Sequence, residues 1–325
     1  MAAMKWDYGD PRRGLSYEYT NLFDAMAHTE GVEVRLFDFM EAHLRGGPLT
    51  VTHELREAVA AFDPDLLFVV LFTDQIPAET LAELRDRPRP ITFNWFCDDH
   101  WRFEDFTARW APLFNACSTT ATSALPKYAR IGYTNVLKTQ WACNHHLYRR
   151  TEGPLRHEVT FVGQPHGNRR AIVARLARRG IAVETYGYGW PAGKLDHQEM
   201  VTLFGTSRIN LNLSNASTRS LLGQLRGRSQ ADQIKGRNFE IPGCGGFQLS
   251  GTADDIEAYF EPDQEIVLFS SLGELQEAIG RYQRDEKARA KIAEAGYRRT
   301  LAEHTYAARF AAIFRALDLQ PRDPR

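Results

Sequence analysis

The chain has 325 residues, 43% of them apolar and 25% charged, with a formal net charge of −1. This is the composition of an ordinary globular protein, long enough for two domains of roughly 150 residues and for a core that needs no covalent staples. The balanced charge excludes a nucleic-acid partner held by an overall basic field, and no run of about 18 apolar residues offers a membrane-spanning helix.

The four cysteines, Cys97, Cys117, Cys143 and Cys244, are far apart and form no C-x-x-C pair. Neither zinc nor a disulfide framework is indicated, and reduced thiols in a cytoplasmic protein are expected. The opening MAAMKWDYGDPRRG has no apolar h-region and does not read as a secretory signal.

Short apolar runs then alternate with amphipathic stretches. GLSYEYTNLFDAMAH reads as a helix entered through Ser16, VEVRLFDF (32–39) as a strand and ELREAVAAF as a helix. DLLFVVLF (65–72) is a continuous apolar run, the mark of a strand buried on both faces. Pro77 opens the helix PAETLAELR, since proline suits a first helical turn. PITFNWF (90–96) and LFNACST are strands, SALPKYARIG is a short helix closed by Gly132, and NVLKTQW is another strand. This alternation predicts a parallel sheet covered on both faces.

The series restarts after a polar, Gly- and Pro-containing stretch at 149–158 that reads as a linker. VTFVG, IAVETYGYG and RINLNLS (208–214) are strands, and NRRAIVARLARRG and HQEMVTLFGTS are helices between them. NASTRSLLGQLRGRSQADQ matches no regular element and reads as a mobile loop, since loops this long are usually functional or disordered. The stretch IKGRNFEIPGCGGFQLSG (234–251) follows as a short helix, a glycine turn and a core strand. ADDIEAYF reads as a helix, EIVLFS as a strand, and three helical segments complete the chain. The last presents Phe310, Ile313, Phe314 and Leu317 on one face. The reading is a doubled Rossmann-like α/β unit, and such sheets bind ligands outside the carboxyl ends of their strands.

Four places carry candidate chemistry. FNWFCDDHWRF delivers Asp98, Asp99 and His100 to a strand's carboxyl end. Neighbouring side chains there point opposite ways, so the two aspartates have different tasks; the plain alternative is a helix N-cap. FVGQPHGNRR joins a strand to a helix, with Gly163 allowing close approach and Arg169 or Arg170 adding charge at a helix N-terminus; equally it is an ordinary βα loop. In DYGDPRRGLSYEY, Arg12, Arg13 and Gly14 suit contact with an acceptor or a phosphate, or form a solvated turn. The stretch 234–251 is the most specific. Lys235 and Arg237 suit a diphosphate, which accepts several charge-assisted hydrogen bonds. A carboxylate, Glu240, suits a ribose diol and lies three residues from Arg237 on one helix face. Gly243, Gly245 and Gly246 turn the chain into the next strand. The plain alternative for the charges is a surface ion pair.

KGRNFEIPGCGGFQLSG, YFEPDQEIVLFSSLGELQEAI and KIAEAGYRRTLAEHTYAARF together resemble the C-terminal half of the CgeB-like (spore-maturation-protein) glycosyltransferases. FNWFCDDHWRF, SALPKYARIGYTNVLKTQWACN and FVGQPHGNRRAIVARL resemble the rest, so the likeness spans nearly the whole chain. The tail AEAGYRR…EHTYAARF is similar to that of retaining two-Rossmann-domain (GT-B) glycosyltransferases in general.

The resemblance implies a GT-B fold with two parallel sheets facing across a cleft. It implies an N-terminal, acceptor-side domain over 1–152, a nucleotide-sugar domain over 153–305 and a helix over 306–325 crossing back to the first. It also implies a nucleotide-diphosphate-sugar donor, an acceptor of unknown kind, and neither metal nor cofactor.

Relatives carry E-x7-E, the first carboxylate touching the sugar and the second the ribose. Here the pattern is D-x7-E, with Asp232 in the first role and Glu240 in the second. Gln164 stands where relatives place an arginine, and the nearest cations are Arg169 and Arg170, which moves the diphosphate role to Lys235 and Arg237, with Gly245 and Gly246 beside them. CDDH resembles the strand end that approaches the sugar, so Asp98, Asp99 and His100 are catalytic candidates. The reading is sugar transfer with retention. A non-catalytic nucleotide-sugar-binding protein of surface-polymer assembly and a GT-B epimerase are the alternatives.

Overall fold

The computed structural model describes residues 1–151, 153–213 and 233–319. The chain divides into two compact units, Met1–Gln140 joined by the segment from Tyr306, and Trp141–Thr305. The break precedes the polar stretch at 149–158 because Trp141, Cys143, Leu147 and Tyr148 already pack into the second unit.

In the first unit, strands β1 (Leu66–Val69), β2 (Ile91–Phe96), β3 (Ala116–Thr119) and β4 (Val136–Lys138) form a parallel sheet in that order. Helices α1 (Phe39–Phe62), α2 (Ala78–Arg85), α3 (Asp99–Arg102) and α4 (Leu125–Arg130) punctuate it. Alternation along β1 sends Leu67 and Val69 into a core shared with Val51, Leu55 and Leu81 of the helices. Phe68 points the other way, opposite Phe93 of β2, and both are buried with Trp95.

The expected strand at 32–39 does not form. Phe37 alone makes a parallel bridge to Ala2, which itself bridges Val69. Ala2 N–H donates to Phe68 O at 2.8 Å and Ala2 O accepts from Val70 N–H at 3.0 Å, so the N-terminal residues lie beside β1. A partner this short supports a bridge and no longer ladder. The helix entered through Ser16 is present, with a π-helical turn over Glu18–Phe23, and Ser16 Oγ accepts from Tyr19 N–H at 3.0 Å.

In the second unit, β5 (His157–Val162), β6 (Glu184–Tyr186), β7 (Ser207–Asn212), β8 (Gln248–Gly251) and β9 (Val267–Phe269) form a parallel sheet in the order β6-β5-β7-β8-β9. Strand order reverses between β5 and β7, the topological switch point at which such sheets take ligands. Helices α5 (Arg169–Ala177), α6 (His197–Thr206), α7 (Arg237–Gly243), α8 (Leu272–Arg284) and α9 (Glu286–Glu303) follow in order. ADDIEAYF gives only a 3-10 turn at Ile256–Ala258, because Asp255 takes a left-handed φ of 64° and blocks a longer helix.

Helix α10 (Tyr306–Ala316) belongs to the first unit. It covers the sheet face that Phe68 and Trp95 present: Phe310 meets Phe68 edge-on at 5.9 Å and Tyr306 lies 6.3 Å from Trp95. Phe310 is fully buried. Phe310→Ala should therefore cost about 3–5 kcal/mol, seen as a lower urea midpoint; an unchanged midpoint would show that α10 does not stabilise this unit.

Candidate functional site

The second unit gathers charge at its switch point. Arg169 opens α5, and its guanidinium reaches across to the end of β7. Its Nε and Nη2 donate to Leu213 O at 3.1 and 2.8 Å, and its Nη1 donates to Gln164 O at 2.8 Å. The side chain is buried, and its positive charge is met here by carbonyl oxygens. Burial first, and the charge of Arg237 second, push its pKa down to about 10. A buried cation held by neutral acceptors leaves a positive field at the crevice.

Gly163 was expected to allow close backbone approach in a loop suited to an anion. Its backbone groups are engaged within the unit: Gly163 N–H donates to Tyr186 O at 2.9 Å, and Gly163 O accepts from Trp190 Nε1 at 2.8 Å. Its role is to let the turn pack closely. Arg170 lies outside the gathering, its guanidinium stacked 5.0 Å over Trp190 and donating to Gly189 O.

Helix α7 supplies the rest. Arg237 and Glu240 are three residues apart on one face, and Arg237 Nη1 donates to Glu240 Oε2. The pair is no surface ion pair, since the Glu240 side chain is 0% exposed. Glu240 Oε1 and Arg237 Nε are buried and have no hydrogen-bond partner among the described residues. Such orphaned groups are costly unless a ligand or water meets them. Lys235 precedes the helix, its Nζ donating to Gln233 Oε1 at 2.5 Å. Asp232, the expected companion carboxylate, lies outside the described residues.

The glycines after α7 act on the backbone. Gly246 N–H donates to Ile241 O at 3.0 Å and Gly245 N–H to Pro242 O at 2.8 Å, which is a Schellman turn with Gly245 at φ 75°. A Cβ on Gly246 would stand 2.6 Å from Phe204 O. Both residues, expected beside the donor, thus shape the entry into β8.

In the first unit the two aspartates part company. Asp99, expected as a catalytic group, turns into the core, where Thr107 Oγ1 donates to it at 2.6 Å and Tyr128 OH at 2.7 Å. Burial raises its pKa, offset in part by the hydroxyls of Thr107, Thr119 and Tyr128. It anchors α3. Asp98 instead lines a cavity of about 70 Å³ with Glu18, Cys97, Arg102, Phe72 and Phe96 at the carboxyl ends of β1 and β2. His100 sits within α3 and does not line that cavity.

Sequence reasoning missed Glu18, which reads as one more charge on a helix. Burial raises its pKa, with further repulsion from Asp7 and Asp98. Arg12 and Arg13, expected to face an acceptor, are each engaged by a neighbour: Arg12 with Asp10 at 2.8 Å, and Arg13 with Asp7 at 2.9 Å. Gly14, at φ 84°, closes the turn that holds them. Among the described residues, no group of three His, Cys, Asp or Glu could hold a metal ion, and no helix is long and apolar enough to cross a membrane.

Two consequences can be measured. A Cβ at Gly246 would force the turn from Phe204, so Gly246→Ala should lower stability by about 1–3 kcal/mol; equal stability in urea would contradict the close packing. Glu18 keeps its proton to higher pH in the fold than in the unfolded chain. Stability should therefore fall as pH rises from about 4.3 through the folded-state value. Glu18→Gln should remove that part of the decline, and a parallel pH profile in the variant would refute the assignment.

Residues 168–315 match the model of the family described as glycosyl transferase-like. The chain is 23% identical over 265 residues to spore protein CgeB of Bacillus subtilis (strain 168), covering 76% of this chain and 81% of that protein. Among solved structures, sucrose-phosphate synthase from Thermosynechococcus elongatus superposes with a TM-score of 0.61 at 10% identity, over 89% of this chain and 82% of the other. Anabaena Alr3699/HepE in complex with UDP-glucose gives 0.59 at 11% identity, over 88% and 85%. With the two parallel sheets described above, these matches show a chain similar to the CgeB-like glycosyltransferases, with the GT-B fold of its structural neighbours.

Proposed function

We propose that the chain moves a sugar from a nucleoside-diphosphate sugar to an acceptor, with the donor held by the second unit at the switch point between β5 and β7. The observation that carries this reading is Glu240: a buried carboxylate with one oxygen engaged by Arg237 and the other orphaned. A ribose diol supplies the missing hydrogen bonds. Lys235, Arg237 and the buried Arg169 supply positive charge for the diphosphate.

In such a transfer the bond from the anomeric carbon to the diphosphate oxygen breaks and its electron pair leaves with the diphosphate. Positioned cations in a partly dry site stabilise that developing charge. We read these side chains as sufficient for the task without a metal, and the stereochemistry as retention, on the likeness of the tail to retaining enzymes. A fold relative determined with UDP-glucose suits this class of donor. Asp98 and Glu18 line the cavity of the first unit, which suits the acceptor side. None of the four cysteines forms a disulfide, which fits a reducing, cytoplasmic setting.

The test is thermal shift and calorimetry with UDP, GDP, ADP and dTDP, then turnover with the matching nucleotide sugars. Lys235→Ala should weaken nucleoside-diphosphate binding about tenfold or more, as expected for a lost charge-assisted contact. Glu240→Gln should impair ribonucleotide binding. A folded Lys235→Ala protein with full affinity and turnover would overturn the reading, and binding without turnover would leave a nucleotide-sugar binder.

A further inference from the structure

We propose that Asn238 is the positioning residue of the donor site, its buried carboxamide locking the Lys235 backbone to the carboxyl ends of β7 and β8; this rests on the reading of Lys235 as a diphosphate contact. Asn238 is 0% exposed. Its Oδ1 accepts from the backbone N–H of Lys235 at 3.0 Å, and its own N–H donates to Lys235 O at 2.9 Å. Its Nδ2 donates to Ser250 Oγ at 3.0 Å. Ser250 Oγ in turn accepts from Asn212 Nδ2 at 3.3 Å and donates to Gly251 O at 3.0 Å. Asn212 and Ser250 face each other in register on β7 and β8.

Part of the arrangement is a helix start. Gly236 already has helical φ and ψ of −50° and −35°, and Lys235 O accepts the first turn bond from Asn238 N–H, so Lys235 stands at the cap position. The bond from its N–H to Asn238 Oδ1 is then the returning half of a capping box. The bond from Asn238 Nδ2 to Ser250 Oγ goes beyond capping and ties the capped residue to β8. Lysine is a point charge on a flexible four-carbon stem, and its precision depends on where its backbone is held. Asn238 fixes that backbone against the strand ends where an open parallel sheet takes its ligand.

The experiment is a double-mutant cycle on the full chain. Affinity is measured by calorimetry for whichever of UDP, GDP, ADP and dTDP binds the parent most tightly. Asn238→Ala and Lys235→Ala should each weaken binding about tenfold, and the double variant should bind about as weakly as Lys235→Ala alone, since Asn238 acts through Lys235. A general loosening of the fold would weaken binding further in the Lys235→Ala background as well, so additive losses overturn the inference. Ser250→Ala keeps the asparagine and removes its anchor; it should show a smaller loss with the same coupling and serves if Asn238→Ala does not fold. Parent-like affinity in either folded variant, with Lys235→Ala impaired, overturns the positioning role alone. Parent-like affinity in Lys235→Ala, or no nucleotide bound by the parent, overturns the donor reading beneath it.

Discussion

A carboxylate with no exposed surface can stay charged only if the interior supplies a counter-charge, and Arg237 supplies it for Glu240. The pair anchors α7. Removing one partner of such a pair strands the other and costs roughly 3–5 kcal/mol, so both residues are tied to the fold as well as to any ligand. The pair also leaves work undone, since one carboxylate oxygen and one guanidinium N–H have no partner among the described residues. The rest of the second unit arranges itself around that half-satisfied pair. The Schellman turn ends α7 and sends the chain into β8, and Asn238 ties the start of α7 to the same strand. Arg169 draws the β5 turn toward the end of β7.

Much of this was legible in the sequence because it depends on local rules. DLLFVVLF and PITFNWF formed strands because a continuous apolar run has no solvated face to offer. The Arg237–Glu240 spacing gave a shared helix face, and the glycines after it gave a turn. What the sequence left hidden depends on partners far along the chain. Asp98 and Asp99 look alike, and only the positions of Thr107 and Tyr128 decide which one turns inward. Glu18 becomes unusual because the fold buries it, with Asp7 and Asp98 brought near it from elsewhere in the chain. Asn238 looks like an ordinary helix residue until Ser250 is seen beside it.

The corrections share one cause. The segment 32–39 has strand composition, but a ladder needs a partner of equal length, and Ala2 provides a single bridge. Gly163 sits in a loop of the right kind, yet the neighbouring β6 edge and Trp190 occupy its backbone groups. Arg12 and Arg13 have the right charge, but acids in the same turn already engage them. In each case the residue type was suitable, and in the structure its hydrogen bonds go to near neighbours.

Arg169 carries one more implication. Surface cations attract phosphates through water, where mobile ions weaken the pull beyond about 10 Å at 0.1 M salt. Arg169 is removed from that water, and Arg237 largely so. A phosphate seated against them would be shielded from the ionic atmosphere. Its grip would then vary little with ionic strength, and a chain with almost no net charge would still discriminate strongly between an anion and a neutral sugar.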